Sequence, residues 1–234
     1  MFVLIIGSAP DALEAQSFNR ELFQQLVAIN NAWNVRSDWD YCIFPDDFPE
    51  NRRPNENNEQ KLIGSEQYVP LQNKYGGFVY SGGTMAFTAG YWVLGHFKPK
   101  AMAYIGCDMV YDGEETHFYG RGTPDPLRKD PTLKNLKAKS ARLEAVAASQ
   151  NCSIFNLSMR SKSNLVFRRN SLEKIQKQSI PRRVNCDLLK LALEKEKNLN
   201  YFVEDGKYWQ HLDKFDQEKI DALDELWSKV MELY

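Results

Sequence analysis

Histidine and cysteine are scarce in this chain, and neither is spaced for a metal or a disulfide framework. Among 234 residues there are three histidines and four cysteines. Cys42, Cys107, Cys152 and Cys186 lie far apart with no CxxC pair. A zinc site and a disulfide scaffold are therefore not expected, and a reducing cytoplasm is the expected setting. An excess of one charge sign is also missing. The formal net charge is −1 and the pI is near 6.3, so no basic field points to a nucleic-acid or anionic-lipid partner. Long apolar runs are absent too. Nothing approaches the roughly 20 residues of a membrane span. The opening "MFVLIIGSAP" is apolar for only about five residues with no basic stretch ahead of it, which fits a buried strand better than a secretory signal.

The chain does have enough apolar material for one good core, with 43% hydrophobic and 12% aromatic residues. Continuous apolar runs suit strands buried on both faces of a parallel sheet. They occur at "FVLII", at "LVAI" before Asn30, at "YCIF" from Tyr41, at "AMAYI" from Ala101 and at "CSIFNLS" from Cys152. Between them, residues 17–26 have helical spacing in Phe18, Leu22, Phe23 and Leu26. An apolar helix is expected from about Thr84 to Gly95, and an amphipathic one over residues 130–149 with Pro131 in its first turn. Residues 50–67 are polar and read as a loop. This alternation predicts an α/β protein: a Rossmann-like, mostly parallel sheet flanked by helices over residues 1–165. From residue 166 to 234 the segments are charged and helical in spacing with no clear strand, which predicts a helical C-terminal extension.

In open parallel sheets, ligands bind beyond the carboxyl ends of the strands, near the reversal of strand order. The polar residues that follow each strand are therefore the candidates. They are residues 7–11 ("GSAPD", with Gly7, Ser8 and Pro10), then Asn30 and Asn31, Asp46 and Asp47, Asp108, and Asn156 with Ser158. "SGGT" (Ser81, Gly82, Gly83, Thr84) opens the apolar helix and suits a phosphate, because glycines let backbone N–H groups approach an anion at a helix start. It suits equally a plain cap and turn. Neither a Walker lysine nor GxGxxG accompanies it. In "YIGCDMVYDGEETHFYG", Asp108 could hold a ribose, a metal or a sugar hydroxyl, and His117 is the natural acid or base. The bland alternative is an acidic surface turn with Asp112, Glu114 and Glu115 in water. His96 and His211 fit packing roles better.

Taken in order, "VLIIGSAPD", "AINNAW", "YCIFPDD", "SGGTMAFTAGYWVLG", "AYIGCDMVYDGEETHFYG" and "CSIFNLS" resemble one superfamily. It comprises bacterial sialyltransferases using CMP-activated nonulosonic acids, motility-associated flagellin glycosyltransferases, and archaeal-type 6-hydroxymethylpterin diphosphokinases. The likeness covers about residues 2–160. It implies a nucleotide-activated small-molecule donor held by Gly7, Ser8, Asn30, Ser81 and Gly82, with Asp108 in the same cleft. His117 would then do acid–base work on an acceptor that the sequence does not identify. Tyr111, Tyr119 or Arg121 would assist the leaving group. No cofactor is required for glycosyl transfer. A diphosphokinase would need Mg²⁺, for which Asp46 and Asp108 offer oxygens. The chain departs from the family in Ala9, in Asp11 and in "HFYGR", where Arg121 stands at the place of a histidine. Either His117 takes the base role or sialyl transfer is not the chemistry. A binding protein without turnover is the third expectation.

Overall fold

The computed structural model describes residues 1–55, 57–112, 115–122, 129–177 and 179–231. Seven strands form one sheet: β1 (Phe2–Ile6), β2 (Gln25–Ile29), β3 (Tyr41–Ile43), β4 (Lys61–Ile63), β5 (Ala101–Ile105), β6 (Ser153–Asn156) and β7 (Arg168–Arg169). Their order is β4-β3-β2-β1-β5-β6-β7 and every neighbouring pair is parallel. The order reverses between β1 and β5, which defines the crevice where such sheets hold ligands. The helices are α1 (Ser65–Lys74), α2 (Phe78–Ser81), α3 (Met85–Phe97), α4 (Leu136–Ser149), α5 (Leu172–Lys177), α6 (Cys186–Leu199) and α7 (Gln217–Val230). No helix among the described residues is long and apolar enough to cross a membrane.

The alternation of side chains along each strand divides the core in two. Val3, Ile5, Val27, Ile29 and Ile43 face a layer holding α3 and the inner side of α4, with Phe87, Trp92 and Leu143. Leu4, Ile6, Leu26, Ala28 and Cys42 face the other side. There the cover is made of 3₁₀ turns at Pro10–Ser17 and Asn30–Asn34, together with α5. A 3₁₀ turn with Ala12 and Ala15 fully buried against the sheet is a thinner cover than an α-helix, so the strand ends lie close beneath it.

Four expectations change. Residues 17–26 are not a helix: Phe18 and Phe23 pack as an aromatic pair beside Phe2, and Leu26 already belongs to β2. Residues 50–67 are not all loop, because "KLI" adds β4 at the sheet edge and α1 begins at Ser65. The helix expected from residue 130 begins at Leu136, after a 3₁₀ turn at Pro131–Leu133 capped by Asp130. The C-terminal extension is not wholly helical, since Arg168–Arg169 supplies β7.

The extension also buries the face of α4 that its polar pattern assigned to water. Ala138, Ala141 and Ala145 meet Leu223, Trp227 and Val230. Arg142 donates to both Glu196 oxygens at 2.7 and 2.8 Å, to the Tyr91 hydroxyl at 2.6 Å and to the Tyr75 carbonyl at 2.6 Å. Trp227 Nε1 donates to Glu196 Oε1 at 2.8 Å. Lys139 and Asp224 pair at 2.7 Å, both almost fully buried, and Arg182 reaches Glu144 at 3.0 Å.

Candidate functional site

The carboxyl ends of β1, β5 and β6 finish level with one another. Ile6 is opposite Ile105, and Tyr104 is opposite Asn156. The chain then continues in register: Gly7 N donates to Ile105 O at 2.8 Å, Ala9 N to Gly106 O at 2.9 Å and Leu157 N to Tyr104 O at 2.8 Å. Two glycines permit this closeness. A Cβ on Gly7 would strike the Gly106 carbonyl, and one on Gly106 would sit 2.6 Å from Ala12 Cβ, where the backbone φ of +69° also favours glycine.

This junction gathers polar side chains from four separate parts of the sequence. Asp108 is fully buried. Its Oδ1 accepts from Asn156 Nδ2 at 2.9 Å, and its Oδ2 has no partner. Asn156 Nδ2 also reaches Ser163 Oγ at 3.2 Å, while its Oδ1 accepts from Ser158 N at 3.0 Å. Asp11, one turn into the segment after β1, is close enough to feel Asp108, Ser158 and Arg160. Neither of its buried carboxylate oxygens has a hydrogen-bond partner of normal geometry. Arg160 Nη1 is likewise buried without a partner. Burial raises the Asp11 carboxyl above its ordinary value. The Ser158 hydroxyl opposes that shift, the Asp108 charge adds to it, and Arg160 offsets it weakly. The buried thiol of Cys107 is pushed up by burial first and by Asp108 and Asp11 next, so it stays neutral.

Met109 has a φ of +53°, an unfavourable conformation for a long L side chain. Asn164 holds it there: its N–H donates to Asp108 O at 2.9 Å and its Nδ2 to Met109 O at 2.8 Å. Asp112 and Lys162, 2.5 Å apart, link the same two loops further out.

His117 arrives from the loop after β5. A tight turn closes with His117 N to Gly120 O and Gly120 N to His117 O, both at 3.0 Å, and Phe118 N donates to Ser8 O at 3.0 Å. That last bond ties the turn to the segment after β1, beside the junction. The imidazole stacks on Tyr119 and tilts against Tyr111. Its Nδ1 is 2.8 Å from Thr116 Oγ1. With the proton on Nδ1, Thr116 accepts it and Nε2 is the basic nitrogen. Partial burial lowers the His117 pKa, so the ring is neutral at pH 7. Gly113 and Glu114 of this loop lie outside the described residues.

The structure thus gathers Gly7, Ser8 and Asp108 at the junction, and ties the turn that carries His117 to Ser8 through the backbone of Phe118. Pro10 opens the 3₁₀ turn that carries Asp11. Asn30 ends β2, the neighbour of β1, in a left-handed conformation with its buried Oδ1 unpartnered; Asn31, half-buried, follows. Arg121 is exposed, just past the His117 turn. "SGGT" opens α3, whose first residues Met85 and Ala86 belong to the core layer that also holds Cys107 and Met109. Its polar atoms are engaged, however. The fully buried Ser81 hydroxyl bonds Gln72 and Gly77, and Gly83 N donates to Thr132 Oγ1 at 3.0 Å, with the Tyr208 side chain against it. Gly82 and Thr84 are buried. Asp46 is not brought to Asp108: it is exposed after β3, and three strand spacings separate β3 from β5, roughly 14 Å.

Asp11, Asn156, Ser158, Arg160 and Asn164 complete the junction. The polar strand ends "GSAPD" and "NLS" pointed at three of them, while Arg160 and Asn164 carried no signal. A groove of about 660 Å³ lies elsewhere, on the connection between α6 and α7, lined by Tyr201, Phe202, His211 and Phe215 among others. It holds none of the junction residues. Comparison with protein-family models, with curated proteins and with solved structures gives no match.

Proposed function

We propose that this chain is a nucleotide-sugar-dependent glycosyltransferase, sialyltransferase-like in its use of a CMP-activated donor, working at the β1–β5 junction. The observation that carries the reading is the bond from Phe118 N to Ser8 O. It ties the turn that carries His117 to the segment just after β1, and the strand ends of parallel sheets are where nucleotides bind. In this mechanism Nε2 of His117 takes the proton from an acceptor hydroxyl as that oxygen attacks the anomeric carbon of the donor. The bond from that carbon to the phosphate oxygen breaks, and the nucleotide leaves with the electron pair. Asn30, with its free Oδ1, contacts the base or ribose, and Arg121 offers a permanent positive charge to the departing phosphate.

Mg²⁺-dependent diphosphoryl transfer from ATP is less well supported, because Asp46 and Asp108 belong to strands too far apart to share one ion. The test is release of CMP from a CMP-activated nonulosonic acid, with and without simple sugar acceptors. Release by the wild type that falls at least 100-fold in His117→Ala is expected. If the wild type releases no nucleotide from CMP-, UDP- or GDP-activated sugars, the assignment is wrong.

A further inference from the structure

The residues given a part in glycosyl transfer leave one group of buried polar atoms unaccounted for. Asp11 presents a carboxylate within reach of the Ser158 hydroxyl but with no hydrogen bond of normal geometry, while Asp108 presents one oxygen and Arg160 one N–H-bearing nitrogen without a partner, all buried. Each unmet group in such surroundings carries a desolvation cost that a ligand can relieve.

We propose that Asp11, Asp108 and Arg160 form a polyol subsite that grips vicinal hydroxyls of a sugar ring. The balance of free atoms selects that chemistry. Three acceptors and one donor are waiting, and a hydroxyl both donates and accepts. Two neighbouring hydroxyls can donate to the two carboxylates while a lone pair receives Arg160. An ammonium group donates only, so it would leave Arg160 unmatched and be repelled by it. A bare divalent cation meets the same guanidinium. Hydrogen bonds from neutral hydroxyls to carboxylates are charge-assisted and directional, which suits discrimination between sugars. The loop of residues 159–164 carries Arg160 and is joined at its outer end to the loop after β5 by the Lys162–Asp112 pair, with both side chains more than half exposed. An exposed pair of that kind is a weak clasp.

The subsite rests on the nucleotide-sugar reading for its probes, and the hydroxyls could belong to the ribose or to the transferred sugar. Calorimetric titration of the full chain with CMP, 2′,3′-dideoxy-CMP and a CMP-activated nonulosonic acid separates these. Asp11→Asn keeps the shape and removes the charge. Arg160→Gln alters a side chain that is only part-buried, so it guards against a folding defect in the first variant. The expected result is a loss in affinity of at least tenfold in Asp11→Asn and at least threefold in Arg160→Gln. If CMP shows the loss and dideoxy-CMP does not, the hydroxyls are those of ribose. If only the activated sugar shows it, they are those of the transferred sugar. Equal affinity of the wild type and both variants for every probe overturns the subsite while the nucleotide reading stands. Failure of the wild type to bind any probe overturns both.

Discussion

Beneath the C-terminal helices, Lys139, Arg142 and Asp224 are about as buried as Asp108 is at the strand ends, yet the two regions treat buried charge in opposite ways. Under α6 and α7 the ions answer one another. Arg142 is met by Glu196, Tyr91 and the Tyr75 carbonyl, Trp227 completes Glu196, and Lys139 meets Asp224 with one carboxylate oxygen left over. At the β1–β5 junction neither oxygen of Asp11 has a hydrogen bond of normal geometry, and one oxygen of Asp108 and a nitrogen of Arg160 have no partner. A closed network of buried ions fixes how two layers fit together, here beside a cavity of about 450 Å³ lined by Tyr75, Tyr80, Arg142 and Glu196. An open one leaves buried polar atoms that a bound hydroxyl could meet. The same contrast separates the histidine beside the junction from the SGGT turn, whose Ser81 hydroxyl and Gly83 N–H are already taken.

The contrast can be broken most forcefully at Arg142. Arg142→Met leaves the buried Glu196 charge without its main partner, and should cost about 3–5 kcal/mol in chemical denaturation. Lys139→Met should cost less, about 2 kcal/mol, because burial already raises the Asp224 carboxyl and it can take up a proton. Adding Asp224→Leu to that variant should recover much of the loss, as expected where an ion pair is exchanged for apolar packing. If the single and double changes cost the same, the pairing account of this interface is wrong.

The junction should respond with the other sign. In the ligand-free protein, Asp11→Asn removes a buried charge that Arg160 offsets only weakly, so stability at pH 7 should stay level or rise by up to about 1 kcal/mol. The pH dependence follows. A carboxyl raised on folding contributes stability that is full below its unfolded value, near 3.8 for Asp11, and lost as pH climbs through the raised folded value. Glu144, raised to about 7 by burial, adds a similar fall that extends to neutrality. The Asp11→Asn curve should lack the first fall and keep the second. A destabilised Asp11→Asn would place Asp11 among the structural ions.

The smallest expected effect is kinetic. Because burial lowers the His117 pKa, the transfer rate should rise with pH below 6.5 and be flat from neutrality upward. A rate that still climbs steeply above pH 7 would assign the base role elsewhere.

Much of this architecture was legible in the sequence for a simple reason. β1, β2, β3, β5 and β6 are central or nearly so, and burial on both faces demands the unbroken apolar runs that were visible. The edge was not legible. β4 and β7 are three and two residues long, with one side open to solvent, and their composition resembles a loop. The spacing of Phe18, Leu22 and Phe23 imitates a helix because those residues gather on one side of the core. Asp108 could be placed because it stands just beyond the end of β5, and His117 lies further along the same loop. The pairing of Asp11 with Ser158 and Arg160 could not, since it depends on β1 and β6 both flanking β5. Likewise the charges of α4 looked like a solvent face until partners 38 to 85 residues downstream covered them.

The most direct test of the contrast is to map where a nucleotide binds. Amide chemical-shift changes in the full chain, titrated with CMP and with a CMP-activated nonulosonic acid, should centre on residues 7–11, 108–109, 117–118 and 156–160. The interface around Arg142 and Glu196 should be unmoved. Changes centred instead on the groove at Tyr201, Phe202 and His211 would mean that the open polar junction is not the ligand site.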